Sequence, residues 1–124
     1  MTLTVSNSTD SSSITKTDLV SVGAAPTFHT FVPTADARVN EGSPSSNAGG
    51  SVELRVRAQT GGSYHTYLRF DLTGLSAPIA SARLRLYCTD GSDVGGFVFR
   101  SSGGWSETGI TWANKPPATG PLVA

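Results

Sequence analysis

Apolar and polar residues alternate in two runs that flank a glycine-bearing turn in the middle of the chain. Residues 52–58 read VELRVRA and residues 65–72 read HTYLRFDL, and in each run every second side chain is suited to a buried face. A period of two is typical of a strand with one buried and one solvated face. Residues 59–63, QTGGS, supply a flexible loop between the runs. The pattern therefore predicts a β-hairpin at the centre of the fold.

The register of this hairpin follows from pairing apolar side chains with each other. Val56 is expected opposite Thr66, and Leu54 opposite Leu68. The solvated face then carries a contiguous strip of arginines and rings, namely Arg55, Arg57, His65, Tyr67 and Arg69. Since a slip of one residue would turn the arginines inward, we expect this register to be well specified.

Three further segments have strand patterns. Residues 28–39 predict a first strand, with Pro33 marking an edge or a break. Residues 80–88 predict a strong strand, and Cys88, at the end of its apolar side, is expected to be a buried core thiol. Residues 97–100 predict a short strand. The solvated side of the strand at 80–88 carries Arg83, Arg85 and Tyr87.

The composition favours an all-β fold with one core. The chain of 124 residues is rich in Gly, Pro, Ser and Thr, and its apolar residues have no helical spacing. We divide it into a Ser/Thr-rich N-terminal arm or linker, residues 1–26, and a β-sandwich module, residues 27–124. The first segment is interpreted either as a linker or as a strand-forming arm that pairs with a sheet edge, its own or a neighbour's.

Charge and cysteine content exclude several functional classes. The formal net charge is zero, so no bulk attraction to nucleic acid or to a membrane surface is expected. The sequence has no apolar run long enough to cross a membrane as a helix. Cys88 is the only cysteine, which excludes an intrachain disulfide and a metal–thiolate cluster. Met1 is not followed by the basic and apolar stretches of a signal peptide.

The sequence contains none of the common catalytic motifs. His29 and His65 lie in different strand segments, and nucleophile-elbow, zinc-protease and phosphate-loop motifs are absent. We therefore predict that the protein is not an enzyme. A structural calcium ion has three weak candidate oxygen ligands, Asp36, Glu41 and Asn47. Their spacing fits no fixed calcium loop, and Asx side chains more often cap turns than bind ions. No other cofactor is expected.

Five segments carry a resemblance to a known family. They read TADARVNEGSPSSNAG (34–49), ELRVRA (53–58), YLRFDLTGL (67–75), ARLRLY (82–87) and WSETGITWANKP (105–116). In this order and spacing they resemble the DNRLRE-type β-sandwich module, which is grouped with carbohydrate-binding module family 96. The resemblance implies an antiparallel β-sandwich of jelly-roll type on a secreted or cell-surface protein of bacteria or phage. It also implies an accessory role, with an acidic polysaccharide such as alginate as the ligand class.

Arginines and aromatic rings suit such a ligand, because guanidinium forks bind carboxylates and ring faces stack on sugars. The predicted ligand-binding residues are Arg55, Arg57, His65, Tyr67, Arg69, Arg83, Arg85 and Tyr87. The alternative is that these arginines cover a sheet surface and pair with loop acids. For Trp105 and Trp112 we expect packing at one end of the core rather than stacking on sugars.

The resemblance also predicts a fold that is short relative to the family, whose members usually continue with further strands after the tryptophan-containing segment. A sheet that lacks a strand has unpaired backbone groups and invites strand addition. The alternative function is therefore a structural or adhesive extracellular subunit, a filament or fibre, completed by strand exchange with a neighbouring chain. The expected partners are a polysaccharide and, in this alternative, copies of the same chain, without nucleic acid or membrane insertion.

Overall fold

The computed structural model describes residues 2–6, 11–15, 25–76, 78–93 and 95–120, and this part of the chain contains strands and no helix. The strands are β1 (Thr2–Ser6), β2 (Ser11–Thr15), β3 (Ala35–Asn40), β4 (Tyr64–Arg69), β5 (Arg100–Ser101) and β6 (Ala118–Thr119). They form three antiparallel pairs, β1–β2, β3–β4 and β5–β6. The predicted all-β, antiparallel fold class is thereby confirmed, and the arrangement is consistent with a small β-sandwich.

The chain divides into two compact units, Met1–Thr30 and Phe31–Ala124. In the first unit β1 and β2 pair with each other, with Thr2 opposite Thr15. The N-terminal segment is therefore strand-forming, and its two strands supply each other's partner. The rest of the predicted arm, including residues 7–10 and 16–24, lies outside the described residues.

The β3–β4 pair is the centre of the second unit. Its register places Ala37 opposite Tyr67, and the pairing is extended at one end by a hydrogen bond from Thr34 N to Arg69 O of 2.8 Å. At the other end Glu41 N donates to Ser63 O at 2.9 Å. The predicted first strand is thus present, and it begins at Ala35, after Pro33, which cannot donate to a ladder.

One face of the β3–β4 pair carries the core. Side chains of β3 alternate between buried and half-buried positions, because alternate side chains of a strand point to opposite faces. The core residues are Ala35, Ala37, Val39, Tyr67, Trp105 and Ile110, with Trp112 packed against them. The predicted packing role of the two tryptophans is therefore confirmed. Small β3 side chains leave room for the large rings of Tyr67 and Trp105.

The predicted hairpin register is wrong. Backbone pairing between residues 52–58 and β4 is limited to a single β-bridge, in which Arg57 pairs with Tyr64 rather than with His65, and the Thr66 hydroxyl adds a bond to Arg55 O of 2.8 Å. The bridge comprises Arg57 N to Tyr64 O at 3.1 Å and Tyr64 N to Arg57 O at 2.9 Å. The strand ladder of β4 is formed with β3 instead. Val52 and Val56, which were expected to be buried, are exposed.

The predicted strand at residues 80–88 is also wrong, since the described residues between 78 and 93 contain no strand. Cys88 is exposed rather than a core thiol. The physical reason is that an alternating segment becomes a stable strand only when a neighbour pairs with its backbone, and no described segment does so here. Of the strand predicted at residues 97–100, only Arg100 lies in a strand, β5, which pairs with β6.

Candidate functional site

A segment rich in hydrogen bonds, residues 105–117, covers the core face of the β3–β4 pair; it is called the tryptophan segment below. Its turn is closed by hydrogen bonds from Gly109 N and Ile110 N to Ser106 O, at 3.1 and 2.9 Å. Asn114 holds the next turn, because its Oδ1 accepts from Thr111 N at 2.7 Å and its Nδ2 donates to Gly109 O at 2.9 Å. The segment is therefore fixed by its own polar groups.

Hydrogen bonds tie the tryptophan segment to β3, to β4 and to the loop after β3. Asp36 N donates to Glu107 Oε2 at 3.2 Å, and the Tyr67 hydroxyl donates to Pro116 O at 2.8 Å. Asn47 Nδ2 donates to the carbonyl oxygens of Glu107 and Ile110, both at 2.7 Å. These bonds position the two tryptophan rings over β3 and β4.

Arg69 lies on the ring of Trp105. Its guanidinium carbon is 5.3 Å from the ring centroid, and Nη1 donates to Trp105 O at 2.9 Å. Tyr67 meets the same ring edge-on, with centroids 5.8 Å apart. Tyr67 is 9% exposed, and burial raises the pKa of its hydroxyl. The predicted solvated position of Tyr67 is therefore wrong, because it lies on the core face.

Lys115 and His65 both contact Trp112. The ammonium nitrogen of Lys115 is 3.7 Å from the ring centroid and donates to Trp112 O at 3.2 Å. The His65 ring centroid is 4.7 Å from that of Trp112. Partial burial and the Lys115 charge lower the pKa of His65, while the Glu41 carboxylate acts in the opposite direction. We call these three residues the Trp112 cluster.

Arg57 is held by the loop that it precedes. Its Nε donates to Gly62 O at 2.8 Å, and Nη2 donates to the same oxygen. The guanidinium carbon lies 4.8 Å from the centroid of the Tyr64 ring. Arg57 is exposed, so the rest of its guanidinium group faces solvent in a fixed orientation.

Arg55 has a different environment. Its Nη2 is 3.1 Å from Glu53 Oε2, and both side chains are more than half exposed. This is the one ion pair that joins two described residues. Because Glu53 already neutralises Arg55, a ligand carboxylate must compete for this guanidinium.

The remaining predicted ligand residues, Arg83, Arg85 and Tyr87, are exposed, with Tyr87 93% exposed. None of the three has a hydrogen bond or ion pair with another described residue. Their segment has no ladder with β4, so the strip predicted across the hairpin is not continued through strand pairing. Their role as ligand contacts stays a prediction.

The three calcium candidates have structural contacts of their own. Asn47 Oδ1 accepts from Gly49 N at 3.1 Å while its Nδ2 contacts the tryptophan segment. The Glu41 carboxylate accepts from Ser63 N at 3.0 Å, and hydrogen bonds to Ser63 lower its pKa. Asp36 lies in β3. Among the described residues, no three His, Cys, Asp or Glu side chains gather where they could hold a metal.

A depression of about 280 Å³ lies beside the tryptophan segment. Its lining residues are Gly104, Trp105, Ser106, Gly109, Ile110 and Asn114. The amide of Asn114, its most polar side chain, is already bonded to the backbone through both its oxygen and its nitrogen. The depression therefore offers a ligand few free polar groups, and we do not place the candidate site there.

Sequence reasoning missed Lys115, which is one of the cations that contact an aromatic ring. The signal was the spacing of Trp112 and Lys115 within one turn-rich segment, where a flexible ammonium reaches back to the preceding ring. The described residues contain no helix that is long and apolar enough to cross a membrane.

These features define a small antiparallel β-module in which three cations, Arg57, Arg69 and Lys115, each contact an aromatic ring and donate to a backbone carbonyl oxygen. Residues 27–124 match the model of carbohydrate-binding module family 96, and the chain belongs to that family. The match confirms the resemblance carried by the five sequence segments. No curated protein and no solved structure matches the chain.

Proposed function

We propose that this module binds an acidic polysaccharide of the alginate type through its arginine side chains. Membership of a carbohydrate-binding family supports a polysaccharide partner. The main support for an acidic ligand is the lack of ion pairs within the module. Of the eight Lys and Arg side chains between residues 31 and 120, Arg55 alone forms an ion pair with another described residue. Those proposed here as ligand contacts, Arg57, Arg69, Arg83 and Arg85, keep charged hydrogen-bond donors that a uronate carboxylate can use.

Arg57 is the first contact in this proposal. The bonds from Nε and Nη2 to Gly62 O fix the guanidinium plane, and Nη1 stays available to a ligand. A side chain that is already ordered loses little conformational entropy on binding, which favours affinity. Arg55 contributes less, because Glu53 must first be displaced.

Arg69, Arg83, Arg85 and Tyr87 extend the proposed surface. Arg69 is oriented by Trp105 in the same way that Arg57 is oriented by Tyr64. The exposed ring of Tyr87 suits stacking on a sugar face. We include in the proposal a non-catalytic, accessory role in a secreted or cell-surface protein, since families of such modules are generally non-catalytic.

The test is calorimetric titration of the intact chain with an alginate oligosaccharide and with a neutral glucan of equal length. Binding of the uronate that weakens as salt is added supports the proposal, because exposed charge pairs are screened. Equal affinity for the neutral glucan would contradict the acidic ligand. Absence of binding to either sugar would contradict the function as a whole.

A variant series sharpens this test. Arg57→Met keeps the alkyl stem and should weaken binding roughly five-fold or more, and Arg55→Met should cost less. Arg100→Met, an exposed cation in β5, is the matched control and should bind as the parent does. Similar losses in Arg57→Met and Arg100→Met would mean that charge alone, and not this site, governs binding.

A second candidate function is self-assembly through strand exchange. It is favoured by large apolar side chains that are exposed in residues without a strand partner, namely Ile79, Leu84, Leu86, Phe97, Val98 and Phe99. Exposed apolar patches of this kind often mark interaction surfaces. Light scattering coupled to size exclusion tests this candidate, with a monomeric intact chain as the contradicting result. Deletion of residues 1–26 tests whether the arm supplies the exchanged strand.

A further inference from the structure

We infer that the Trp112 cluster is a second carboxylate-binding position for the same acidic polysaccharide, with Lys115 as the charged contact. This inference rests on the proposed function and adds to it a residue outside the predicted arginine strip. It concerns the contact of Lys115 with Trp112 and the neighbouring ring of His65.

The charge of Lys115 is not neutralised by a carboxylate of the described chain. Lys115 is half-buried as a residue, and its ammonium group contacts the Trp112 ring and the Trp112 carbonyl oxygen. An ammonium has three N–H donors, and one carbonyl uses only one of them. A cation that has no carboxylate partner is free to attract an anionic ligand. A uronate carboxylate would supply the missing charge.

The backbone on both sides of Lys115 is fixed. Asn114, which precedes it, is bonded through both side-chain polar atoms, and Pro116, which follows it, accepts the Tyr67 hydroxyl through its carbonyl oxygen. The ammonium is itself held at 3.2 Å from Trp112 O. The position is therefore organised before a ligand arrives, which reduces the entropic cost of binding.

His65 provides a neutral polar group beside this charge. A neutral imidazole has one N–H donor and one nitrogen acceptor, which suits a sugar hydroxyl next to the carboxylate. The charged groups that act on it are Lys115, which disfavours its protonation, and Glu41, which favours it. The Glu41 carboxylate accepts a hydrogen bond from Ser63 N and forms no ion pair with Lys115.

The experiment compares variants of the full chain in titrations with an alginate hexasaccharide and with its carboxyl-reduced, neutral counterpart. Lys115→Met keeps the alkyl stem against Trp112 and should weaken binding of the hexasaccharide about five-fold. Lys115→Arg keeps the charge and should retain most of the affinity. Arg100→Met is again the matched control and should leave the affinity unchanged. The parent and Lys115→Met should have the same affinity for the neutral counterpart.

The outcomes separate this inference from the proposed function. If the parent binds the hexasaccharide and Lys115→Met binds it equally well, the inference is overturned and the proposed function stands. If the parent does not bind, both are overturned. Thermal unfolding of each variant shows whether it is folded. If Lys115→Met has a folding defect, Lys115→Gln serves as the second neutral variant. Retained affinity in a folded Lys115→Gln variant would likewise overturn the inference.

Discussion

The hydroxyl of Tyr67 donates a hydrogen bond of 2.8 Å to the carbonyl oxygen of Pro116, which joins β4 to the tryptophan segment. Tyr67 is buried and the bond itself is partly buried, so loss of the bond is only partly compensated by water. Tyr67→Phe removes the donor, leaves the ring, and should lower the free energy of unfolding by about 1 kcal/mol. Urea denaturation measures the change. Tyr87→Phe, at an exposed ring, is the control, and equal losses in the two variants would contradict a structural role for the bond.

The loop after β3 approaches the tryptophan segment at Gly49, where no side chain fits. A Cβ atom on Gly49 would lie 2.1 Å from Glu107 O, whereas one on Gly50 would have no atom within 4 Å. Relief of such overlap in packed structure typically costs about 1–3 kcal/mol. Gly49→Ala should therefore lower the unfolding midpoint in urea, and Gly50→Ala should not. If Gly49→Ala were as stable as the parent, the loop would be able to shift away from Glu107 without a cost in stability.

Alternation in the sequence located the two central strands but neither their bounds nor their pairing. The patterns at residues 28–39 and 65–72 correspond to β3 and β4, whereas those at 52–58 and 80–88 form no strand. The partner of β4 was wrong because the hairpin rule favours the segment nearest in the sequence, while β3 is separated from β4 by the loop of residues 41–63. Pairing over such a distance is decided by core packing, which a local pattern does not contain.

The predicted site was affected by the same error. The alternation with Leu68, Phe70 and Leu72 assigns Tyr67 to the solvated face. The β3–β4 register instead puts His65, Tyr67 and Arg69 on the face of the core residues of β3. In the structure the ring is in the core, and its hydroxyl has a partner, which is how a tyrosine satisfies both its apolar and its polar part. Lys115 was missed because its contact with Trp112 depends on a turn that the sequence pattern does not specify.

Exposure of Cys88 is directly testable. The thiol is exposed, and its Sγ atom is 3.4 Å from the carbonyl oxygen of Asp90. A thiol-specific chromogenic reagent should therefore react with the folded chain almost as fast as with the chain in urea, since access does not require unfolding. Reaction is followed by absorbance, with Cys88→Ser as the blank. Strong protection in the folded state would contradict this exposure. It would indicate that residues 80–88 are covered, as their alternating sequence pattern predicts for a paired strand.

The pH dependence of stability should report on the Trp112 cluster. Partial burial and the charge of Lys115 lower the pKa of His65 below its ordinary value of 6.5. The unfolded chain therefore binds a proton at His65 more readily than the folded chain does, and the free energy of unfolding should fall as the pH falls from 7.5 through 6.5 toward 5. Glu41 and Asp71 also have lowered pKa values, from 4.5 and 3.8, so their contributions are lost at lower pH, outside this range.

Two variants separate the causes of this slope. His65→Gln cannot be protonated and should flatten the dependence between pH 5 and 7.5, whereas Lys115→Met removes only the repelling charge and should make it shallower. Urea denaturation at several pH values gives the slope, and proton NMR of His65 gives its pKa in the folded parent and in Lys115→Met. An unchanged slope in His65→Gln would contradict the role of His65. An unchanged His65 pKa in Lys115→Met would mean that burial alone lowers it, and that the ammonium does not act on the imidazole.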